Sequence, residues 1–495
     1  MKRVSTSLED KLYKSLPWLL TLFFAAFCLV KFFLEGPHWL HQNGDVNYTY
    51  LLSGLDYLSF EQSGINDQPA ITTKLWNAIV IGIVFFNRMF FLDNKSIEFD
   101  VIQHSELYLN IISLSLFAIV LFTLYSFLKY SQRITENKSV WTIAALSFFF
   151  SSIVFHSIFV NKPEPFLVIL GLWLGKICIQ MTFDSVKTKL LEVVLFICFA
   201  LLTKVTFVPF ILILFFIIQP RLLWKRVLPF TLLAILFLFL IWKNELIETT
   251  IWVLDALFNT GPQGTGDSGM YSNLTFNAHL LKLLKINALL LLTLFLGALP
   301  LLKNKENIKT LVGYYLSFAI FFMVMLKTPV SHYFIPCYAL LPSFILIAFK
   351  DIRLIHFQLA LIVLILFLTV RGATYSRDIS TKHSKWANHQ HEDGIEMYFS
   401  SSKAYTLFYA NRKQDFRHSE LLELMYPTDT FYAFNHHFYT FGGRVNYNKI
   451  LNHELSVVGT SDYIEKNELL EIKSKKVNGL KHRYTVKVID VPNYR

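Results

Sequence analysis

The sequence predicts an α-helical, polytopic membrane protein. Hydrophobic residues make up 54% of the chain and charged residues 16%, and the mean hydropathy is +0.44. The apolar residues come in long blocks that match the thickness of a bilayer, which is the pattern of membrane-spanning helices. Lysine and arginine cluster in the short segments between these blocks, as they do in the inner loops of membrane proteins.

Charge and cysteine usage exclude two other classes of protein. The formal net charge is +11, but the basic clusters sit between apolar runs, so we expect a membrane partner and no nucleic acid. All four cysteines lie within apolar runs, which supports neither a disulfide framework nor a cysteine-based metal site. The first apolar run is too long for the core of a signal peptide, and we interpret it as a retained span.

Apolar runs of about 17 to 25 residues predict about eleven spans, which places the two ends of the chain on opposite sides of the membrane. The predicted spans are 15 to 34, 107 to 128, 140 to 160, 164 to 182, 189 to 204, 205 to 220, 227 to 243, 286 to 302, 310 to 326, 332 to 349 and 355 to 371.

The distribution of basic residues orients these spans. If the N-terminus is cytoplasmic, every inner segment carries at least two basic residues, whereas the short outer turns carry Lys162, Lys204 and Lys327. We therefore expect a multi-pass membrane protein with a cytoplasmic N-terminus and a periplasmic or extracellular C-terminal domain.

The run from 71 to 92 is long enough to span, but a crossing there would invert every later loop. We predict that it lies along or dips into the outer leaflet, with Lys74, Asn77, Asn87 and Arg88 as its polar points. An ordinary span is the alternative. The outer-leaflet interpretation adds juxtamembrane helices to the predicted fold.

Two domains are expected. Residues 1–371 are predicted to form a transmembrane domain with outer loops at 35–106 and 244–285, and residues 372–495 a small α+β extracytoplasmic domain. The second outer loop is rich in glycine, serine and asparagine, which fits a mobile lid over a site or a disordered connector.

The apolar stretch between Lys187 and Arg221 must go out and come back. Each arm has about 16 or 17 residues, near 25 Å of helix, against a hydrocarbon core of about 30 Å. The tip at Thr203 and Lys204 is thus predicted to lie below the outer surface. A lysine at that depth is costly unless it faces a cavity or an anionic partner.

Ionisable residues gather at the predicted outer boundary of the membrane. A transporter is expected to place such groups near the middle of the bilayer, whereas a site at the edge suits a reaction between a membrane-held anion and an outer reactant. The residues at this boundary are Asp45, Asp56, Asp67, His104, Glu106, Lys162, Glu164, Lys204, Lys327, His332 and Tyr333.

Most of these residues lie in short motifs spread over the membrane part of the chain. The motifs are QNGDVNY, DQPAITTK, HSELYLNII, VNKPEPFLVI, LLTKVTFVPF and HYFIPCYALLP. They resemble segments of the GT-C glycosyltransferases that use polyprenyl-phosphate sugars, such as protein O-mannosyltransferases and the aminoarabinose transferase that modifies lipid A. The resemblance covers most of the membrane part and implies a location in the bacterial inner membrane. DQPAITTK departs from the His-Pro motif of the family, with Asp67 and Gln68 where the family has histidine.

The resemblance implies a role for each matched residue. Asp45 is the general base that accepts the proton of the acceptor hydroxyl, and Glu164 is a second acid. Lys204, His332 and Tyr333 bind the phosphate of the donor, and transfer inverts the anomeric centre. The accessory candidates are Asp67, Lys74, Arg88 and Glu106.

A divalent metal held by Asp45 and Glu164 is an open alternative, with no certain cofactor. The implied partners are a polyprenyl-phosphate sugar donor, the bilayer, and a glycan, lipid or protein acceptor.

Each residue also has a purely structural interpretation. Asp45 is suited to cap a helix beginning at Val46, Asp56 to a solvated helix face, and Asp67 to a turn before Pro69. Glu164 suits a helix start, Lys204 snorkelling, and Tyr333 the aromatic belt of the interface.

Two other functions remain alternatives. One is a transporter or flippase for lipid-linked saccharides, and the other is a non-catalytic envelope assembly protein.

Overall fold

The structure is a computed structural model of the 495-residue chain. It describes residues 2–40, 44–64, 70–91, 96–183, 190–260, 269, 275–298, 307–350, 395–398, 403–427, 431–433, 437–441, 443–444, 455–459, 470–477 and 481–488. Within these ranges, the description leaves out the side chains of 2–8, 34–35, 40, 44–45, 91, 395–398 and 405, and those after 427 apart from Phe441.

Helices dominate the part of the chain up to residue 350. They are α1 Lys2–Glu35, α2 Gly44–Leu58, α3 Ile71–Arg88, α4 Ile97–Gln103, α5 Ser105–Ile134, α6 Lys138–Ser147, α7 Ser152–Ser157, α8 Glu164–Phe183, α9 Leu190–Thr203, α10 Val208–Ile217, α11 Pro220–Ile241, α12 Lys243–Phe258, α13 Phe276–Ile286, α14 Ala288–Ala298, α15 Ile308–Met325 and α16 Ile335–Ala348. A π-helical turn, Leu223–Val227, lies within α11.

The described residues after 394 form two helices and short strands. The helices are α17 Lys403–Lys413 and α18 Ser419–Met425. The strands are β1 Ile395–Tyr398, β2 Phe431–Ala433, β3 His437–Thr440, β4 Gly443–Arg444, β5 Leu455–Gly459, β6 Leu470–Val477 and β7 Lys481–Val488. One sheet has the order β1-β5-β7-β6, with β1 parallel to β5 and the other pairs antiparallel; β2, β3 and β4 form an antiparallel sheet.

The chain divides into two compact units. Unit 1 contains Met1–Leu29, Asn66–Thr73 and Ser113–Thr374, and unit 2 contains Val30–Ile65, Lys74–Ile112 and Tyr375–Arg495. This grouping differs from the predicted boundary at residue 371, because unit 2 joins most of the first outer loop to the C-terminal segment. The domain boundary itself stays a prediction.

Among the described residues, six helices are long and apolar enough to cross a membrane. They are Glu9–Phe33, Ser105–Ile134, Glu164–Phe183, Pro220–Ile241, Ile308–Met325 and Ser331–Ala348. The pair α13 and α14, bent by 77°, makes a seventh candidate if it is counted as one broken span. The chain is therefore a helical, multi-pass membrane protein.

Several predicted spans differ from this set. The run from 140 to 160 is two short helices, α6 and α7, with non-helical residues between them. The predicted span at 355 to 371 lies outside the described residues, so the total of about eleven stays a prediction. Helix α3 also falls outside the six, and its outer-leaflet position stays a prediction.

Helix α16 lies at the centre of unit 1. All of its residues from Ile335 to Ala348 are buried, and it packs against α8 and α6. Gly171 on α8 permits a close approach, because a Cβ added there would overlap the Cβ of Ala339 on α16. This packing fixes the starts of α8 and α16, and both starts carry predicted site residues.

We expect the Gly171→Ala variant to lose about 1 to 3 kcal/mol of stability, because the added methyl group overpacks this helix crossing. The matched control is Gly82→Ala on α3, where the nearest atom to the added Cβ is Leu58 Cδ2 at 3.6 Å. That variant should be neutral or gain up to about 1 kcal/mol from helix propensity. Thermal unfolding in detergent measures both, and equal effects would contradict the close packing.

Candidate functional site

Four of the predicted site residues come together in unit 1. Lys204 Nζ donates a hydrogen bond to Glu164 Oε1 at 2.8 Å, and His332 Nε2 lies 3.8 Å from the same oxygen. Lys204 Nζ also lies 4.7 Å from the centre of the Tyr333 ring, and the rings of His332 and Tyr333 are in edge contact at 4.6 Å. We call these residues the Lys204 cluster.

Three helix boundaries position the cluster. Glu164 is the first residue of α8 and follows Pro163, which suits the first turn of a helix. Lys204 has an extended backbone, with φ −162° and ψ 130°, between α9 and the 3₁₀ turn Val205–Phe207. His332 and Tyr333 lie in the 3₁₀ turn Ser331–Phe334 that leads into α16. The four side chains thus come from helix ends and from the turns between helices.

The ion pair is shielded from solvent, whereas the histidine reaches the surface of the cluster. Side-chain exposure is 4% for Lys204, 5% for Glu164 and 36% for His332. The second carboxylate oxygen, Glu164 Oε2, is buried and accepts no hydrogen bond from the described residues. A carboxylate with one oxygen in an ion pair and the other unsatisfied has capacity to accept a further donor.

The charge balance of the cluster favours an anion. The cluster and Lys162, two residues before Glu164, contain two ammonium groups and one carboxylate. His332 and the Tyr333 hydroxyl group add further hydrogen-bonding capacity. In a site of low dielectric constant, this arrangement is suited to stabilising negative charge on a bound group.

These contacts replace two of the structural interpretations offered by the sequence and confirm a third. Lys204 does not snorkel, because its ammonium group is buried against Glu164. The ring face of Tyr333 contacts that ammonium group, so Tyr333 is part of the cluster and not simply an aromatic residue of the membrane interface. Glu164 does start a helix, as the sequence suggested, but its side chain pairs with a distant lysine as well.

The two arms that carry Lys204 are shorter than predicted. Helix α9 has 14 residues and α10 has 10, so each is about 15 to 21 Å long. Both are well below the hydrocarbon thickness of about 30 Å. The position of Lys204 beneath the membrane boundary stays a prediction.

The remaining predicted residues fall into two groups. The side chains of Asp45 and Asp67 lie outside the described residues. The backbone of Asp45 is the second position of α2, which begins at Gly44, so Asp45 is inside the first turn instead of capping a helix from Val46.

The accessory residues Lys74, Arg88 and Glu106 all belong to unit 2. Lys74 is fully buried, with Nζ 6.0 Å from the centre of the Tyr57 ring. Glu106 accepts hydrogen bonds from the Tyr48 hydroxyl group and from the backbone N–H of His38. These contacts are internal to unit 2, whereas the Lys204 cluster belongs to unit 1.

Arg88 has a partner that sequence reasoning missed. Its guanidinium donates two hydrogen bonds of 2.9 Å to the fully buried carboxylate of Asp100, which also accepts one from Tyr108 at 2.5 Å. Burial raises the pKa of Asp100, but the hydrogen bonds from Arg88 and Tyr108 outweigh it and lower the pKa below its ordinary value. These contacts tie the end of α3 to α4 and α5, which is a positioning role within unit 2.

Asp56 is a correction to the sequence prediction of a solvated helix face. It is buried, and its Oδ1 lies 3.2 Å from His418 Nε2. His418 Nδ1 lies 2.7 Å from Glu98 Oε1, so the imidazole ring sits between two carboxylates. His418 is distant in sequence from both acids, and no local signal in the sequence connects them.

Further contacts hold the segment around His418 against α2 and the residues that follow it. Gln414 Nε2 donates to Ser53 Oγ at 2.6 Å and to the Thr49 carbonyl at 3.1 Å, and Gln414 Oε1 accepts from the Gly64 N–H at 2.6 Å. Helix α17 packs on α2. The 403–427 segment is therefore part of the same compact unit as α2.

The protonation of His418 should make this attachment depend on pH. Burial lowers the pKa of His418, but the carboxylates of Asp56 and Glu98 outweigh it and raise the pKa from 6.5 to about 9. The stabilisation is then complete below pH 6.5 and is lost as the pH rises through about 9, a change of about 3 kcal/mol. Hydrogen exchange of 403–427, corrected for intrinsic rates, should accelerate between pH 6.5 and 9.5. The His418→Gln variant should show no such step, and a step that persisted would contradict the assignment.

No group of three or more histidine, cysteine, aspartate or glutamate side chains in the described residues is arranged to hold a metal ion. A metal held by Asp45 and Glu164 stays a prediction, because the Asp45 side chain is not among them. Glu164 is occupied by Lys204 and lies near His332, so its surroundings are those of an ion pair.

Comparison of the chain with protein-family models, with curated proteins and with solved structures gave no match. The functional interpretation therefore rests on the sequence motifs and on the geometry of the Lys204 cluster.

Proposed function

We propose that this protein is a membrane glycosyltransferase that transfers a sugar from a polyprenyl-phosphate donor to an acceptor at the outer face of the membrane. The observation that supports the proposal is the convergence of Glu164, Lys204, His332 and Tyr333. The sequence motifs select these residues from three separate segments. In unit 1 they are linked by contacts of 2.8 to 4.7 Å.

The donor chemistry explains the composition of the cluster. A polyprenyl phosphate buries its chain in lipid and presents a charged phosphate near the membrane boundary. Lys204 at a submerged tip and His332 at the edge of the cluster are suited to that phosphate and to the charge that develops on it as the sugar leaves. Tyr333 holds the ammonium group through its ring, so that the cation is fixed before the donor arrives.

Glu164 has a positioning role in this proposal. Its ion pair fixes Lys204, and its proximity to His332 orients the imidazole towards the same point. When the phosphate binds, the ammonium group of Lys204 interacts with the donor in place of part of its interaction with Glu164. The carboxylate also offsets the cost of burying the ammonium group of Lys204 while the site is empty.

Asp45 acts as the general base in the proposed reaction. It accepts the proton of the acceptor hydroxyl group while the hydroxyl oxygen attacks the anomeric carbon and the polyprenyl phosphate departs. A single displacement inverts the anomeric configuration. The proposal includes about eleven spans, a cytoplasmic N-terminus in a bacterial inner membrane, and an extracytoplasmic α+β domain after residue 371.

The test is a transfer assay with purified protein in vesicles that contain polyprenyl-phosphate sugar labelled in the sugar, together with a membrane extract as the source of acceptor. We expect labelled product with a new, inverted glycosidic bond and the release of polyprenyl phosphate. The Asp255→Asn variant changes an exposed acid on α12 and should be fully active. Movement of label across the vesicle membrane without a new glycosidic bond would instead indicate a transporter.

A further inference from the structure

A second cluster of cations lines a cleft in unit 1, away from the Lys204 cluster. The cleft has a volume of about 670 Å³, and its walls include Lys14, Lys129, Arg133 and Lys176. Among the described residues, its lining contains no carboxylate. Positive charge in a cleft without acidic side chains favours an anionic ligand.

The side chains that α5 contributes to the cleft change from aromatic to basic along the helix. Phe122, Tyr125, Lys129 and Arg133 recur at intervals of three or four residues, so they share one face of the helix. Phe122 is 73% exposed, as expected for a side chain that contacts lipid. From Phe122 to Arg133 the helix rises by about 16 Å. The cleft is thus apolar and aromatic at one end and cationic at the other.

Lys176 adds a charge inside a predicted span. It lies seven residues before the end of α8 at Phe183, about 10 Å along the helix. Its ammonium group lies 5.6 Å from the centre of the Tyr130 ring, and it makes no ion pair with another described residue. A lysine at such a depth is costly unless an anion joins it, so this residue indicates a ligand that enters from the membrane.

We propose that this cleft binds an anionic phospholipid of the cytoplasmic leaflet. The phosphate lies among Lys129, Arg133 and Lys176, and an acyl chain runs along the Phe122 end of the cleft. The amphipathic wall favours a lipid over a soluble phosphate, because Phe122 and the rings of Tyr125 and Tyr130 offer contacts to an acyl chain beside the cationic side chains. The site is independent of the proposed transfer reaction.

The experiment uses the purified full-length protein in a neutral detergent. Native mass spectrometry counts bound lipid after addition of dioleoyl phosphatidylglycerol, of dioleoyl phosphatidylcholine, or of glycerol phosphate as the soluble headgroup. We expect phosphatidylglycerol to be retained in preference to the other two. Equal retention of phosphatidylcholine, or saturation by glycerol phosphate alone, would overturn the proposal.

Variants locate the site. Lys176→Gln and the pair Lys129→Gln with Arg133→Gln should weaken phosphatidylglycerol binding by about fivefold for each charge removed. Lys176→Arg keeps the charge and should bind almost as well, which separates loss of binding from loss of folding. The control pair Lys225→Gln with Arg226→Gln removes two exposed charges outside the cleft and should leave binding unchanged. An equal loss in this control pair would show diffuse attraction and overturn the site.

Discussion

Replacing Lys204 by methionine is expected to lower the free energy of unfolding by about 3 to 5 kcal/mol, because the variant leaves the buried carboxylate of Glu164 without its ion-pair partner. Glu164→Gln should be destabilising for the complementary reason, since it leaves the ammonium group of Lys204 without a carboxylate. Thermal or chemical unfolding in detergent measures both losses. The 2.8 Å contact between two groups that are about 5% exposed is the basis for a large effect.

The double variant Glu164→Gln with Lys204→Met separates structure from function. It removes both charges together, so most of the lost stability should return. Transfer from the labelled donor should stay at least about 100-fold below wild type, because the cation that stabilises the phosphate is still missing. If the double variant transferred the sugar at the wild-type rate, Glu164 and Lys204 would have only a structural role, which would contradict their assignment to donor binding.

Asp45→Asn is expected to lower the rate of transfer by about 10² to 10⁴-fold at saturating donor, because the acceptor hydroxyl loses its general base. The KM for the donor should change little, since the phosphate contacts belong to the Lys204 cluster. The measurement is the rate of transfer as a function of donor concentration in vesicles, with Asp255→Asn as the control for removal of an acid. Unchanged turnover in Asp45→Asn would move the catalytic role to another residue.

The membrane segments show what the sequence pattern can predict. Apolar blocks and basic flanks predict spans because burial in lipid and the charge bias of loops act locally along the chain. They located three of the six candidate helices to within two residues at both ends and the other three to within seven. The prediction of one span from 140 to 160 was wrong because hydropathy does not report where a helix breaks, and the helices there end at Ser147 and Ser157.

The Lys204 cluster and the contacts of His418 show which side-chain contacts the sequence can predict and which it cannot. Glu164, Lys204 and His332 were found from short motifs and from their predicted place at one membrane edge, and the structure brings them into contact. The pairing of Asp56 with His418 could not be predicted, because it joins residues more than 350 positions apart without a pattern in either segment.

Photo-crosslinking tests the central claim most directly. The probe is a polyprenyl phosphate that carries a diazirine next to the phosphate, bound to the purified full-length protein in vesicles and mapped by mass spectrometry. The account predicts labelling of the segments around Glu164, Lys204 and His332 that unlabelled polyprenyl phosphate competes away and that Lys204→Met reduces. Labelling confined to other segments, or labelling that the competitor does not reduce, would contradict a polyprenyl-phosphate site at the Lys204 cluster.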